Sequence, residues 1–194
     1  MTGSLDAAGA PLLFTVGHGT RTLEQLVVVL KAAGAGRVVD VRRFPSSRRH
    51  PHFNREALAR SLSDHGIGYA WRGDELGGRR SVDPGSVSRH HALRVAAFRA
   101  FAEHMDTDGF RSAIDELVCA ARRAPPLAVL CAETVWWRCH RRLISDALVL
   151  RGARVHHLLE AGNAQAHPLH EAVRADDEGR PVYDVGAPAR LDLG

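Results

Sequence analysis

Residues 130–144, LCAETVWWRCHRRLI, gather two cysteines, a carboxylate, a histidine and several arginines behind an apolar run. Each type brings its own chemistry. An ionised Glu133 activates water or offsets positive charge in a transition state. Cys139, surrounded by Arg138, Arg141 and Arg142, has the setting of an activated thiol. Its neighbour His140 points about 100° away on a helix, so a base for that thiol must come from His18 or His157. The same irregular spacing argues against a metal set made of Cys131, Glu133, Cys139 and His140, and no metal or other cofactor is expected. Cys131, on the preceding strand, also reads as an inert small hydrophobe. Arg141 reads either as a clamp on phosphate or carboxylate or as an ion-pair partner.

A second concentration spans residues 40–55, DVRRFPSSRRHPHFNR. Asp40 and Arg42 are two apart on an extended chain, so both face one side. They form either a base beside an anion-binding guanidinium or an internal ion pair. Arg43, Arg48, Arg49 and Arg55, interleaved with His50, His52 and Phe53, suit a nucleic-acid backbone and a stacked base. The alternative is a solvated loop in which Pro45 and Ser47 only shape a turn. Tyr69 and Trp71 add further stacking surfaces. In GDELGGRR, Gly77 and Gly78 let backbone N–H groups approach an anion, or simply make a turn.

The elements that position these residues alternate. PLLFTVG, RVVDV, IGYAW, PPLAVLCA and ARVHHLL read as strands. Helical patterns lie between them, with Thr22 as an N-cap and a second helix opening at Asn54. Such alternation implies right-handed crossovers and a mostly parallel sheet of about five strands flanked by helices. The expected fold is a single Rossmann-like α/β domain over residues 11–160. A flexible N-terminus (1–10) precedes it and a weakly ordered tail (161–194) follows, in which RPVYDV is a candidate edge strand. The polar residues His18, Asp40, Arg42, Gly77, Gly78, Cys131, Glu133 and His157 all fall where strands end. In parallel sheets those ends share one edge, where ligands bind.

Composition narrows the partners. The 194 residues carry a formal charge of +4, and Lys31 is the only lysine among 26 basic residues. Arginine suits bidentate contact with phosphate, so an anionic partner is expected, a nucleotide or nucleic acid. No apolar run is long enough for a membrane span. Three cysteines without a CxxC pair make reduced thiols the default, which places the chain in the cytoplasm. Neither a phosphate-binding GxxxxGK[ST] loop nor a GxGxxG fingerprint is present. The sequence leaves the oligomeric state open.

The segments at the strand ends also resemble the DUF488 family of bacterial and archaeal proteins. The family pattern reads T-[IV]-G-H, D-V-R-x-x-P-x-S, G-I-x-Y, L-G-G, C-x-E, C-H-R and V-x-H. Here these blocks stand at residues 15–18, 40–47, 66–69, 76–78, 131–133, 139–141 and 155–157. The resemblance implies an α/β fold and a shared site, and no reaction, since the family is one of unknown function.

The residues themselves suggest an enzyme that acts on a nucleotide or nucleic acid by hydrolysis or group transfer, such as N-glycosidic bond cleavage. Glu133 or Asp40 would serve the bond and Arg42 and Arg141 would hold phosphate. Two alternatives stand beside it: a non-catalytic binding module using the same arginines, and thiol chemistry at Cys139.

Overall fold

The computed structural model describes residues 9–81, 85, 87–123 and 125–186. Most of the expected flexible N-terminus and the last eight residues, 187–194, lie outside the described residues.

The chain opens with β1 (Leu12–Gly17), α1 (Leu23–Ala32), β2 (Arg37–Asp40), α2 (Arg55–Asp64) and β3 (Gly68–Trp71). A short helix α3 (Gly73–Leu76), then α4 (Ala96–His104) and α5 (Asp108–Arg123), lead to β4 (Leu127–Cys131). The helix α6 (Arg141–Leu150) and β5 (Arg154–Glu160) complete the predicted alternation. Local chemistry explains the boundaries. Thr22 and Gln25 form a reciprocal capping box at the start of α1. Asn54 stands at the N-cap of α2, but its side chain accepts instead from the backbone N–H of Ser47, 2.6 Å away.

The strands assemble in the order β3-β2-β4-β1-β5, all parallel. Two-residue periodicity then sorts their side chains. Phe14, Val16, Val38, Ala128 and Leu130 pack under α1 and α2, against Leu26, Leu30, Leu58 and Leu62. Leu13, Val39, Val129, Cys131 and Val155 pack on the other face, against Phe101, Phe110, Ile114 and Ile144. With both faces covered, the strands are nearly continuous apolar runs, as a buried parallel sheet requires. The helix after β1 lies on one face and the helix after β4 on the other. The chain therefore reverses between these neighbours, which is where open α/β sheets form a ligand crevice.

The end of the chain departs from expectation. β6 (Asn163–Ala166) adds an antiparallel edge strand to β5, making six in the sheet. β7 (Val173–Ala175) and β8 (Pro181–Tyr183) pair with each other, so RPVYDV joins a separate hairpin and not the central sheet. Far from trailing loosely, this stretch docks on α6. Tyr183 is fully buried and donates to Asp146 at 2.9 Å. Its Ala- and Gly-rich composition hid three short strands anchored by a few buried side chains. No helix among the described residues is long and apolar enough to cross a membrane.

Candidate active site

At the end of β2, Asp40 is completely buried and saturated with donors. Its Oδ1 accepts from the Arg42 backbone N–H (3.0 Å) and from Arg42 Nε (2.9 Å). Its Oδ2 accepts from Arg42 Nη2 (2.6 Å) and from the Tyr69 hydroxyl (2.7 Å). Burial alone would work against the Arg42 charge, but the bidentate carboxylate outweighs it and raises the guanidinium further above its ordinary value. Asp40 therefore holds Arg42 in place and has no lone pair left to act as the base the sequence suggested. Tyr69 belongs to the same cluster and its hydroxyl is not a free stacking edge.

Arg42 reaches on to His18, Nη1 to Nε2 at 3.3 Å, while His18 Nδ1 donates to the Gly19 carbonyl at 3.0 Å. Burial and the adjacent guanidinium lower His18 to about 4. It stays neutral at physiological pH, with Nε2 as the acceptor. Its ring stacks on Phe53, centroids 4.1 Å apart. Phe53 has no exposed surface, so the aromatic singled out for base stacking is a core residue. On this loop the exposed aromatic is Phe44, 64% accessible, with the Arg43 guanidinium 5.7 Å above its ring. Its signal was in the sequence: a phenylalanine directly between paired arginines and a proline. Ser47 shapes this loop, accepting from the His50 backbone N–H at 3.0 Å.

After β4 the chain does not enter the helix where the spacing predicts. A 3₁₀ turn (Trp136–Arg138) intervenes, Cys139 is extended (φ −118°, ψ 149°), and α6 begins only at Arg141. This changes the chemistry. In a helix Cys139 and His140 would diverge; here Cys139 Sγ lies 3.5 Å from His140 Nδ1 and 3.1 Å from Cys131 Sγ. His140 Nδ1 is also 3.9 Å from Cys131 Sγ. Burial opposes a charge on Cys139, but the Cys131 thiol, His140 and the nearby Arg141 together hold its pKa well below the usual thiol range. Cys131, hydrogen-bonded to that sulfur and buried, is pushed up. The donor atoms of Cys131, Cys139 and His140 lie within 4.8 Å of one another, so irregular spacing does not keep these three of the four apart.

Two glycines permit this packing. A Cβ on Gly78 would stand 2.9 Å from His140 Nδ1, and one on Gly17 would lie 1.9 Å from the Glu133 carbonyl. Gly77 is equally confined, against the Gly73 carbonyl. The Gly77 N–H is spent on the Gly73 carbonyl at 3.1 Å, while Gly78 lines the pocket described below. Arg141 corrects another expectation. It is 1% exposed and donates to the carbonyls of Glu133 and Thr134, so it shapes the loop and is not available as a clamp.

A pocket of about 300 Å³ opens above β2 and β4. Cys131, Cys139 and His140 form part of its wall, with Glu133, Gly78, Arg42, Arg43, Phe44, Arg79 and Arg138 around them. Glu133 is exposed, and its carboxylate accepts no hydrogen bond among the described residues. The guanidinium groups of Arg43, Arg79 and Arg138 likewise make no ion pair among those residues. Arg79 carries the only positive φ of a described non-glycine residue, 58°. The sequence missed Arg79 and Arg138 as pocket residues because they were read only as neighbours of stronger motifs.

His157 lies elsewhere, in a buried row behind the pocket. Its Nδ1 accepts from Thr15 Oγ1 (2.6 Å), its Nε2 contacts His167 Nδ1 (2.9 Å), and His167 Nε2 meets Asp146 Oδ1 (2.9 Å). Trp136 stacks on it at 4.0 Å. Burial, His167 and Arg141 lower His157 to about 3. With both ring nitrogens engaged in this row, it has none free to serve Cys139 as a base. His167 and Asp146 were not anticipated, since no local pattern links them.

The family model for a domain of unknown function, DUF488, matches residues 22–148. The chain belongs to the DUF488 family. The matched span holds the Asp40–Ser47 loop, the Gly77–Gly78 turn and the Cys131, Glu133 and Cys139–Arg141 blocks; the outer DUF488-like blocks at residues 15–18 and 155–157 flank it on β1 and β5. No curated protein and no solved structure matches this DUF488 chain.

These buried histidines of the DUF488 fold set an acid limit. Both have folded pKa values below the 6.5 of the unfolded chain, so the unfolded state binds more protons as pH falls. Stability is expected to decline from about pH 6.5 downward, through the values near 4 and 3. Urea midpoints measured between pH 7 and pH 5 should fall steadily, and His157→Gln should flatten the slope. An unchanged slope in that variant would remove His157 from the account.

Proposed function

We propose that this protein is an enzyme that acts on a nucleotide or nucleic-acid substrate, by hydrolysis or group transfer at a base or sugar. One observation carries the reading: Glu133, a carboxylate without a partner among the described residues, on the wall of a pocket whose other charged groups include Arg43, Arg79 and Arg138, which make no ion pair among those residues. The arginines are suited to phosphate and Phe44 to a stacked base, while Glu133 is placed to take a proton from water or to offset charge developing at a sugar. Arg42, locked by Asp40, lines the same pocket as a fixed donor. Three free cysteines, two of them 3.1 Å apart, fit a reducing compartment such as the cytoplasm.

The test is binding of labelled single-stranded and duplex oligonucleotides to the purified protein across a salt series. Micromolar or tighter binding is expected, weakening steeply with salt as phosphates are neutralised. It should weaken further in Arg43→Ala and Arg79→Ala. Absence of binding to oligonucleotides and to free nucleotides at low salt removes the reading.

A second reading, covalent thiol chemistry at Cys139, is favoured by the contact between its sulfur and His140 Nδ1. Alkylation with iodoacetamide followed by peptide mass mapping separates the two. Rapid, selective labelling of Cys139 supports the thiol, and sluggish labelling of both buried cysteines removes it.

A further inference from the structure

We propose that Cys131, Cys139 and His140 form a three-ligand zinc site whose fourth position opens into the pocket. Four observations converge on this assignment. The first is the donor set: two sulfurs and one imidazole nitrogen, the softness that Zn²⁺ selects over Mg²⁺ or Ca²⁺.

The second is distance. Tetrahedral Zn²⁺ with Zn–S near 2.3 Å and Zn–N near 2.0 Å places its sulfurs about 3.8 Å apart and each sulfur about 3.5 Å from the nitrogen. The chain presents 3.1 Å between sulfurs, and 3.5 and 3.9 Å from sulfur to Nδ1. Opening the sulfurs by roughly 0.7 Å is all that the geometry asks.

The third is the support of the histidine. His140 Nε2 donates to the Val41 carbonyl at 3.3 Å, which leaves the Nδ1 lone pair aimed at the two sulfurs. Fixing the second ring nitrogen on a carbonyl is how metal-bound histidines are commonly oriented. Gly78 lies against one side of the ring and Phe101 meets it edge-on at 5.0 Å, so the imidazole cannot turn away. The Arg141 backbone N–H, at the start of α6, points at Cys139 Sγ from 3.5 Å, as N–H groups do around ligating thiolates.

The fourth is access. Three protein ligands with the remaining direction facing a cavity is the pattern of catalytic zinc, whereas a structural site is closed by four. Binding displaces the two thiol protons to solvent and leaves a neutral ZnS₂N unit, and a water from the pocket completes the tetrahedron. Only that last role rests on the hydrolytic reading proposed above: a zinc-held water would be the nucleophile and Glu133, on the same wall, would receive its proton.

The experiment uses the full chain, reduced with a phosphine and stripped with a chelator, titrated with Co²⁺ and then with Zn²⁺. The expected result is one equivalent of Co²⁺. It should show sulfur-to-cobalt charge-transfer absorption and the intense visible bands of four-coordinate cobalt, both erased by Zn²⁺. Cys131→Ser and Cys139→Ser, nearly isosteric, should weaken binding by more than about a hundredfold, since loss of a mere supporting contact already costs ten- to a hundredfold. Circular dichroism shows whether each variant is folded. Cys119→Ser, on the exposed face of α5, should titrate like the parent.

No charge-transfer band, or one that survives both serine variants, overturns the proposal. So does alkylation of Cys139 that one equivalent of Zn²⁺ fails to slow. The readouts need no substrate. A protein that binds zinc but no nucleotide keeps the metal site and loses the proposed function, and the converse result does the opposite.

Discussion

Glu133→Gln is expected to abolish turnover while leaving substrate affinity nearly intact. The substitution keeps size and hydrogen-bonding capacity but removes the proton acceptor, and a positioned general acid or base contributes about 10²- to 10⁴-fold. The folded state should be unaffected, because the Glu133 carboxylate is exposed and takes part in no hydrogen bond among the described residues. Its backbone carbonyl, which does accept from Arg141, survives the change. Affinity for an oligonucleotide should stay level or rise slightly, because a negative charge leaves a pocket ringed by Arg43, Arg79 and Arg138. Binding with turnover in the parent and binding without it in the variant supports catalysis. A parent that binds every oligonucleotide and nucleotide tried but converts none, with a variant only slightly tighter, describes a binding module.

Asp40→Asn is expected to be the most destabilising conservative change in the site region. The carboxylate is fully buried and meets Arg42 in a bidentate pair as well as the Tyr69 hydroxyl. Removing one partner of a buried pair leaves an uncompensated charge, at a cost of about 3–5 kcal/mol. The urea midpoint should fall accordingly. Because Arg42 also positions His18 and borders the pocket, oligonucleotide binding should weaken in the same variant under conditions where it remains folded. A double replacement, Asp40→Asn with Arg42→Met, should recover part of the lost stability, since an apolar side chain has no charge to strand. Failure of the double variant to recover would mean that Tyr69 and the loop, not the ion pair, carry the cost.

Much of this architecture was legible in the residues. Strand and helix periods, the Thr22 cap and the clustering of polar groups at strand ends follow from local patterns, and the parallel sheet realises them. The site was legible as a neighbourhood and less so as a geometry. Cys139 and His140 were misjudged because one unforeseen 3₁₀ turn moves the start of α6, and a helix boundary shifted by a few residues reverses which neighbours meet. Phe53 and Arg141 were misassigned for a different reason: residue type reveals what a side chain can contact, and only tertiary packing decides whether it reaches solvent. The docked hairpin was illegible because Tyr183 finds its partner, Asp146, far away in sequence, with no periodic signal between them.

The sheet order also dictates when the molecule can come together. The earliest of the described strands, β1, is flanked on both sides by late arrivals: Leu13 pairs with Leu127 on one edge and with Val155 on the other. During synthesis at about 5–20 residues per second, both its edges must wait many seconds, while β2 can pair with β3 on one edge as soon as α2 is made and waits for β4 only on the other. Closing loops of that length before any contact rewards them slows folding. The centre of the sheet is therefore expected to be the last part to form. Until then an unpaired Leu12–Gly17 segment is the stretch most in need of a chaperone's shelter.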